Sequence, residues 1–235
     1  LASNLHMWDE QVPQLVEAGF RVFRYDSRGH GHSAVPDGPY SMEMLAQDAV
    51  SLLDGLGLNK VLFCGLSKGG MVGQMLGVSH PDRLLALILC STSAHMPPPD
   101  TWNERIKTVR EKGMAAVAEA TIDRWFTKAG QELIPEKVEA VRQMILNTPV
   151  QGFCGSCEAI RDMDQREAIA SITLPTLVVV GEHDPGTTVS HAQLIHGKIL
   201  SSQLRIIPDT AHMLNIEQAD VFNNMLLDFI RSPKG

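Results

Sequence analysis

Read along the chain, apolar and polar positions fall into a repeating strand-and-helix order. The stretch 8–18 has helical spacing, with Trp8, Val12, Leu15 and Val16 on one side. Pro13 suits the first turn of a helix, so the helix is expected to begin there, and Gly19 ends it. Phe20-Arg21-Val22-Phe23-Arg24-Tyr25 is rich in β-branched and aromatic residues and predicts a strand. A polar loop punctuated by glycine follows, Asp26-Ser27-Arg28-Gly29-His30-Gly31-His32-Ser33. Ser41 reads as the N-cap of a helix over 42–56, with Leu45, Ala49, Leu52 and Leu53 as its core face. Four apolar residues, Val61-Leu62-Phe63-Cys64, then run into Gly65-Leu66-Ser67-Lys68-Gly69-Gly70. An apolar, helix-compatible run follows over 71–78, stopped by His80-Pro81-Asp82. Leu84 to Cys90 is nearly continuous in apolar residues, as strands buried on both faces of a parallel sheet are.

Between Ser91 and Ser171 the pattern changes. Pro97-Pro98-Pro99 makes a stiff connector. Amphipathic helical segments follow over 101–112, 114–125 and 135–146, with a shorter one over 157–163 and no strand pattern. Alternation then resumes. A strand over 177–180 ends at Gly181-Glu182-His183-Asp184-Pro185, and a helix is expected over 189–200. A strand over 204–207 leads into Pro208-Asp209-Thr210-Ala211-His212, and a last helix runs over 217–230. This predicts an α/β fold: a mostly parallel sheet with helices on both faces, and a helical cap inserted into it. The simplest division is one domain over 1–235, with a core of 1–93 and 172–235 and a cap of about 94–171.

Composition narrows the classes of function. The chain has 235 residues, 44% of them hydrophobic and 20% charged, with a formal net charge of -7. It carries no basic stripe, which argues against nucleic acid or an anionic membrane as partner. No apolar run is long enough to cross a bilayer, and no signal peptide opens the chain. Four cysteines in a chain this long do not make a disulfide scaffold, and Cys64 and Cys90 read as buried thiols. A reducing cytoplasm is the expected location. Cys154-Gly155-Ser156-Cys157 lacks a second ligand pair, and the Arg28–Ser33 glycine loop has neither P-loop nor zinc spacing. No cofactor or metal is expected.

Candidate chemistry sits where the predicted strands end. Gly65-x-Ser67-x-Gly69 between a strand and a helix has the form of a nucleophile elbow, with Ser67 at the apex. Both Gly65 and Gly69 are expected to be needed, because so tight a turn leaves no room for side chains. Asp184 and His212 each follow a later strand. Ligands of an open parallel sheet bind beyond the carboxyl ends of its strands. The order Ser, Asp, His is the one used on α/β-hydrolase sheets. In that arrangement His212 takes the Ser67 proton and Asp184 holds the imidazole tautomer. The backbone N–H of Lys68 is one oxyanion donor. Each residue alone has a plainer reading: Ser67 as turn filler, Asp184 as a turn residue before proline, His212 as a loop histidine. Glu182 is the substitute acid.

Several stretches together resemble α/β-hydrolases of the 3-oxoadipate enol-lactonase type. They are Asn4-Leu5-His6-Met7-Trp8-Asp9, the run from Arg24 to Ser33, Phe63-Cys64-Gly65-Leu66-Ser67, Arg124-Trp125-Phe126, Cys157-Glu158-Ala159-Ile160, Gly181-Glu182-His183-Asp184 and Ala211-His212. The resemblance implies hydrolysis of a carboxylate-bearing enol-lactone, with Arg124 to pair with the carboxylate and Trp125 as an apolar wall. It also implies roughly 25 residues ahead of Leu1, an early hairpin and the strand leading to the oxyanion loop. Leu1 then matches the second oxyanion donor. Members commonly carry an apolar residue where this chain has Lys68, whose charge near the site bears on activity or substrate preference. The same triad also serves a general carboxylesterase, a C–C bond hydrolase, a perhydrolase or a lactone receptor with little turnover.

Overall fold

A computed structural model describes residues 1–231 of the chain. A short 3-10 turn (Leu5–Trp8) precedes α1 (Val12–Glu17), in which Pro13 occupies the first turn. Then come α2 (Met42–Gly55), β1 (Val61–Leu66), α3 (Lys68–Ser79) and β2 (Leu84–Cys90). Five helices follow before the next strand: α4 (Pro99–Lys112), α5 (Ala115–Trp125), α6 (Lys128–Leu133), α7 (Pro135–Leu146) and α8 (Val150–Asp162). The chain closes with β3 (Thr176–Gly181), α9 (Val189–Lys198), β4 (Ser202–Ile207), α10 (Leu214–Glu217) and α11 (Ala219–Arg231).

The four strands form one sheet in the order β1-β2-β3-β4, every pair parallel. β2 and β3 are central and almost wholly buried, which is why both read as unbroken apolar runs. β1 and β4 are the edges, and their side chains are correspondingly more exposed. Cys64, expected to be buried, is therefore only half-buried on β1, while Cys90 on β2 is fully enclosed.

Residues 20–25 are not a strand, contrary to expectation. Their composition suits a half-buried extended segment, but a strand exists only when its backbone groups pair in a ladder, and no described strand pairs with them. Tyr25 instead lines a cavity together with Phe63, Cys64 and Gly65. Phe23 and Tyr25 stack on each other with ring centroids 6.3 Å apart.

Ser41 caps α2 as expected, accepting from Met44 N–H at 3.2 Å. Leu45, Ala49 and Leu53 are buried, whereas Leu52 lies at the exposed margin. The inserted helices include α6, which the pattern did not announce, and α8 begins seven residues earlier than expected, at Val150 rather than Cys157. An antiparallel bridge between His95 and Asp164 ties together the two ends of this insertion. Its seat on the sheet region is close: a Cβ placed on Gly152 of α8 would lie 1.9 Å from the Gly29 carbonyl oxygen. Only backbone without a side chain fits at that crossing.

Candidate active site

The turn after β1 holds Ser67 at φ 56 and ψ -117, a conformation that L-residues rarely adopt. Three hydrogen bonds to its backbone N–H and carbonyl hold it there. Ser67 N–H donates to the Cys90 carbonyl at 2.8 Å. The Ser67 carbonyl accepts from Thr92 Oγ1 at 2.8 Å and from Met71 N–H at 3.1 Å. Gly65 is required by contact, since its Cβ would meet the Gly69 carbonyl oxygen at 2.2 Å. Gly69, expected to be needed for the same reason, has open space where its Cβ would stand. The crowding at the turn is one-sided: the Gly69 backbone presses on position 65, and position 69 points away.

Asp184 and His212 come from the ends of β3 and β4 and meet. His212 Nδ1 lies 2.7 Å from Asp184 Oδ2, and both side chains are buried. Asp184 Oδ1 accepts from the N–H groups of Gly186 and Thr187, each at 2.9 Å, and Oδ2 also accepts from Thr187 Oγ1 at 2.7 Å. Burial pushes the Asp184 carboxyl up, but the His212 charge and these hydrogen bonds outweigh it and hold the group below its ordinary range. An ionised Asp184 takes Nδ1–H as a donor, which leaves Nε2 of the imidazole with its lone pair free. Thr187 escaped sequence reading. Its signal is slight: a threonine three residues after an acid, just ahead of the Thr188 cap of α9, reads as part of a turn.

Ser67, Lys68, His212, Trp125 and Leu1 line one cavity of about 110 Å³, with Ser27 and His30. Trp125 lies over the His212 ring, centroids 5.8 Å apart and planes 26° from parallel, and its carbonyl accepts from Met213 N–H at 3.0 Å. Arg124 is not among the residues that line this cavity; its guanidinium donates to Thr121 Oγ1 at 3.2 Å on its own helix. Glu182 and His183 are exposed and turned outward. With Asp209 they make the one group of metal-capable side chains among the described residues, and it lies on the surface.

The loop from Asp26 to Ser33 is a self-bonded turn. Asp26 accepts from Leu5 N–H at 2.7 Å and His32 N–H at 3.0 Å, and Arg28 pairs with Asp48 at 2.6 Å. His30 Nε2 accepts from Ala2 N–H at 3.2 Å, so Nδ1 carries the proton of the neutral ring and faces the Arg28 carbonyl at 3.1 Å. Burial, and then the nearby Lys68, hold the His30 pKa well below its ordinary value.

Lys68 extends into this polar pocket. Its Nζ donates to Ser27 Oγ at 3.1 Å and to Ser156 Oγ on α8 at 3.0 Å, and lies 3.5 Å from His30 Nδ1. It is 4% exposed and makes no ion pair among the described residues. Burial pushes its pKa down to about 7.

No helix among the described residues is long and apolar enough to cross a membrane. Residues 1–219 match the family model described as alpha/beta hydrolase fold. The chain is 36% identical over 224 residues to 3-oxoadipate enol-lactonase 2 of Acinetobacter baylyi, covering 95% of this chain and 83% of the relative. The crystal structure of the enol-lactonase from Burkholderia xenovorans LB400 superposes with a TM-score of 0.96 at 38% identity, covering 99% of this chain and 88% of that one. A thermophilic esterase from Thermogutta terrifontis superposes with a TM-score of 0.92 at 32% identity, covering 97% and 86%. A parallel sheet, a strained serine turn and matches of this extent lead to one assignment: the chain belongs to the α/β hydrolase fold family.

Proposed function

We propose that this protein is a serine hydrolase of lactones and esters that opens the ring of 3-oxoadipate enol-lactone to give 3-oxoadipate. The observation that carries the reading is the His212–Asp184 bond of 2.7 Å at a cavity lined by the strained Ser67. Relatives named as enol-lactonases support the choice of substrate.

In this reading Ser67 Oγ attacks the lactone carbonyl while His212 Nε2 takes its proton. Asp184 stabilises the resulting imidazolium. The tetrahedral oxygen accepts from the backbone N–H of Lys68, at the first turn of α3, where the helix dipole also favours negative charge. Leu1 lines the same cavity, and its backbone nitrogen is the second donor. The ring C–O bond then breaks, His212 returns the proton to the departing enol oxygen, and the enol tautomerises to the ketone. Water, deprotonated by His212, releases the acid from Ser67. Trp125 walls the cavity beside the base. No cofactor enters any step.

The test is a hydrolysis panel of the enol-lactone, a saturated lactone and simple aryl esters, with Ser67→Ala alongside. The enol-lactone is expected to show the highest kcat/KM, and Ser67→Ala to lower it by about 10⁴-fold or more. A fully active Ser67→Ala overturns the triad. Preference for plain esters overturns the substrate and leaves the triad standing.

A further inference from the structure

A buried ammonium without an anion is an incomplete arrangement. Desolvating a positive charge is costly, and folded proteins offset that cost with a counter-ion or a full set of acceptors. Lys68 has neither. Two of its three N–H groups meet Ser27 Oγ and Ser156 Oγ. The third has no acceptor: His30 Nδ1, at 3.5 Å, carries its own proton, because Nε2 is engaged by Ala2. The two serine hydroxyls accept from Lys68 and have no acceptor of their own among the described residues. One N–H and two O–H groups thus lie together around Nζ with no acceptor among the described residues. Ser27, His30 and Lys68 all line the cavity that Ser67 and His212 line. The acid in that cavity's lining, Asp26, accepts from the N–H groups of Leu5 and His32 and forms no ion pair with Lys68. Arg124, the other cation that a carboxylate could seek, lies outside the cavity lining.

We propose that Lys68 Nζ, with the hydroxyls of Ser27 and Ser156, forms an anion site next to the Ser67 turn that receives the free carboxylate of the substrate. Lys68 is then the residue that selects carboxylate-bearing esters and lactones over neutral ones. The arrangement has the right chemistry: a buried N–H donor with two hydroxyls beside it, at the wall of the cavity that Lys68 and Ser27 line. Ser156 belongs to α8, so a bound carboxylate also bridges the serine turn to the inserted helices. The proposal rests on the hydrolase reading but not on the enol-lactone as the substrate.

The test compares two aryl esters of equal chain length, one with a free carboxylate at the end of its acyl arm and one with a methyl group there. The readout is the ratio of their kcat/KM values in the wild type, Lys68→Met and Arg124→Gln. The ratio is expected to fall by about tenfold or more in Lys68→Met, chiefly through KM of the charged ester, and to persist in Arg124→Gln. An unchanged ratio in Lys68→Met overturns the proposal, as does a collapse confined to Arg124→Gln. A purely structural Lys68 would lower both esters alike. A second measurement needs no turnover: calorimetric binding of adipate to the wild type and to Lys68→Met at pH 6 and pH 8.5, with adipamide as the neutral control. Lys68 loses its charge across that range, whereas arginine keeps its own. Among the facing groups, burial and the Lys68 charge keep His30 neutral, and burial pushes the Cys157 thiol up to about 12. His212, the other imidazole of the cavity, is controlled for by repeating the measurement in Lys68→Met, where a retained pH dependence overturns the site. Adipate is expected to bind about tenfold or more tightly at pH 6, with adipamide unaffected. Equal adipate affinity at the two pH values overturns the site.

Discussion

Asp184 and Lys68 are two charged side chains buried to the same degree beside one serine, and the fold provides for them very differently. Asp184 receives four donors: two backbone N–H groups, a threonine hydroxyl and an imidazole N–H. Lys68 receives two serine oxygens and no charge of opposite sign among the described residues. The carboxylate is consequently held ionised below its ordinary range, while the ammonium is pushed down to about 7. A charge whose partners are all in place can only orient and stabilise. A charge short of a partner is poised to bind one.

The largest effect that could break this comparison is at the saturated end. Asp184→Asn keeps the shape of the side chain but offers an amide where the imidazole needs an acceptor, so His212 takes the wrong tautomer. A fall in kcat of about 10³–10⁴-fold is expected on the best ester of the panel. A drop of less than tenfold would mean that Asp184 does not direct the base.

Lys68 leaves a trace in stability as well as in binding. Its folded pKa of about 7 lies below the ordinary 10.5. Between those values the unfolded chain holds more protons at this position than the folded one. Stability therefore rises with pH through this window, by about 2 kcal/mol from pH 7 to pH 9. Lys68→Met removes the gain, and urea denaturation of both proteins at the two pH values measures it. Equal pH dependence would show that Lys68 is not buried as a lone cation.

The smallest expected effect is at Thr187, whose hydroxyl touches Asp184 Oδ2 at 2.7 Å and His212 Nδ1 at 3.2 Å. Thr187→Val keeps the volume and the backbone donor and removes one of four donors. Roughly tenfold in kcat is expected, with KM little changed, by steady-state kinetics. A loss as large as that of Asp184→Asn would make Thr187 part of the essential orienting unit.

Much of this was legible in the chain. The serine turn announced itself because an apolar run, a Gly-x-Ser-x-Gly and a helical run are consecutive, and local order is what sequence records best. Asp184 and His212 could be placed because strand ends in a parallel sheet all point one way. Residues 20–25 misled, since composition marks what can be half-buried and extended but not whether a partner strand lies alongside. Gly69 misled in a smaller way: both glycines of the motif look alike, and only coordinates tell which one is crowded. Lys68 was noticed as a charge, but its surroundings were hidden, because Ser27 and Ser156 lie 41 and 88 residues from it along the chain. Arg124 and Trp125 were paired in expectation as neighbours, and adjacent helical residues point in different directions. Only the tryptophan reaches the cavity.

That tryptophan has an optical consequence. The indole of Trp125 lies over the His212 ring at 5.8 Å, a distance at which a protonated imidazole accepts charge from the excited indole and dims its emission. Trp102 sits elsewhere, beside Arg105, and Trp8 lines the same cavity but packs on Phe222 rather than on the imidazole. Of the three indoles, Trp125 is thus the one whose emission reports on the imidazole, brighter when His212 is neutral and dimmer when it holds the second proton.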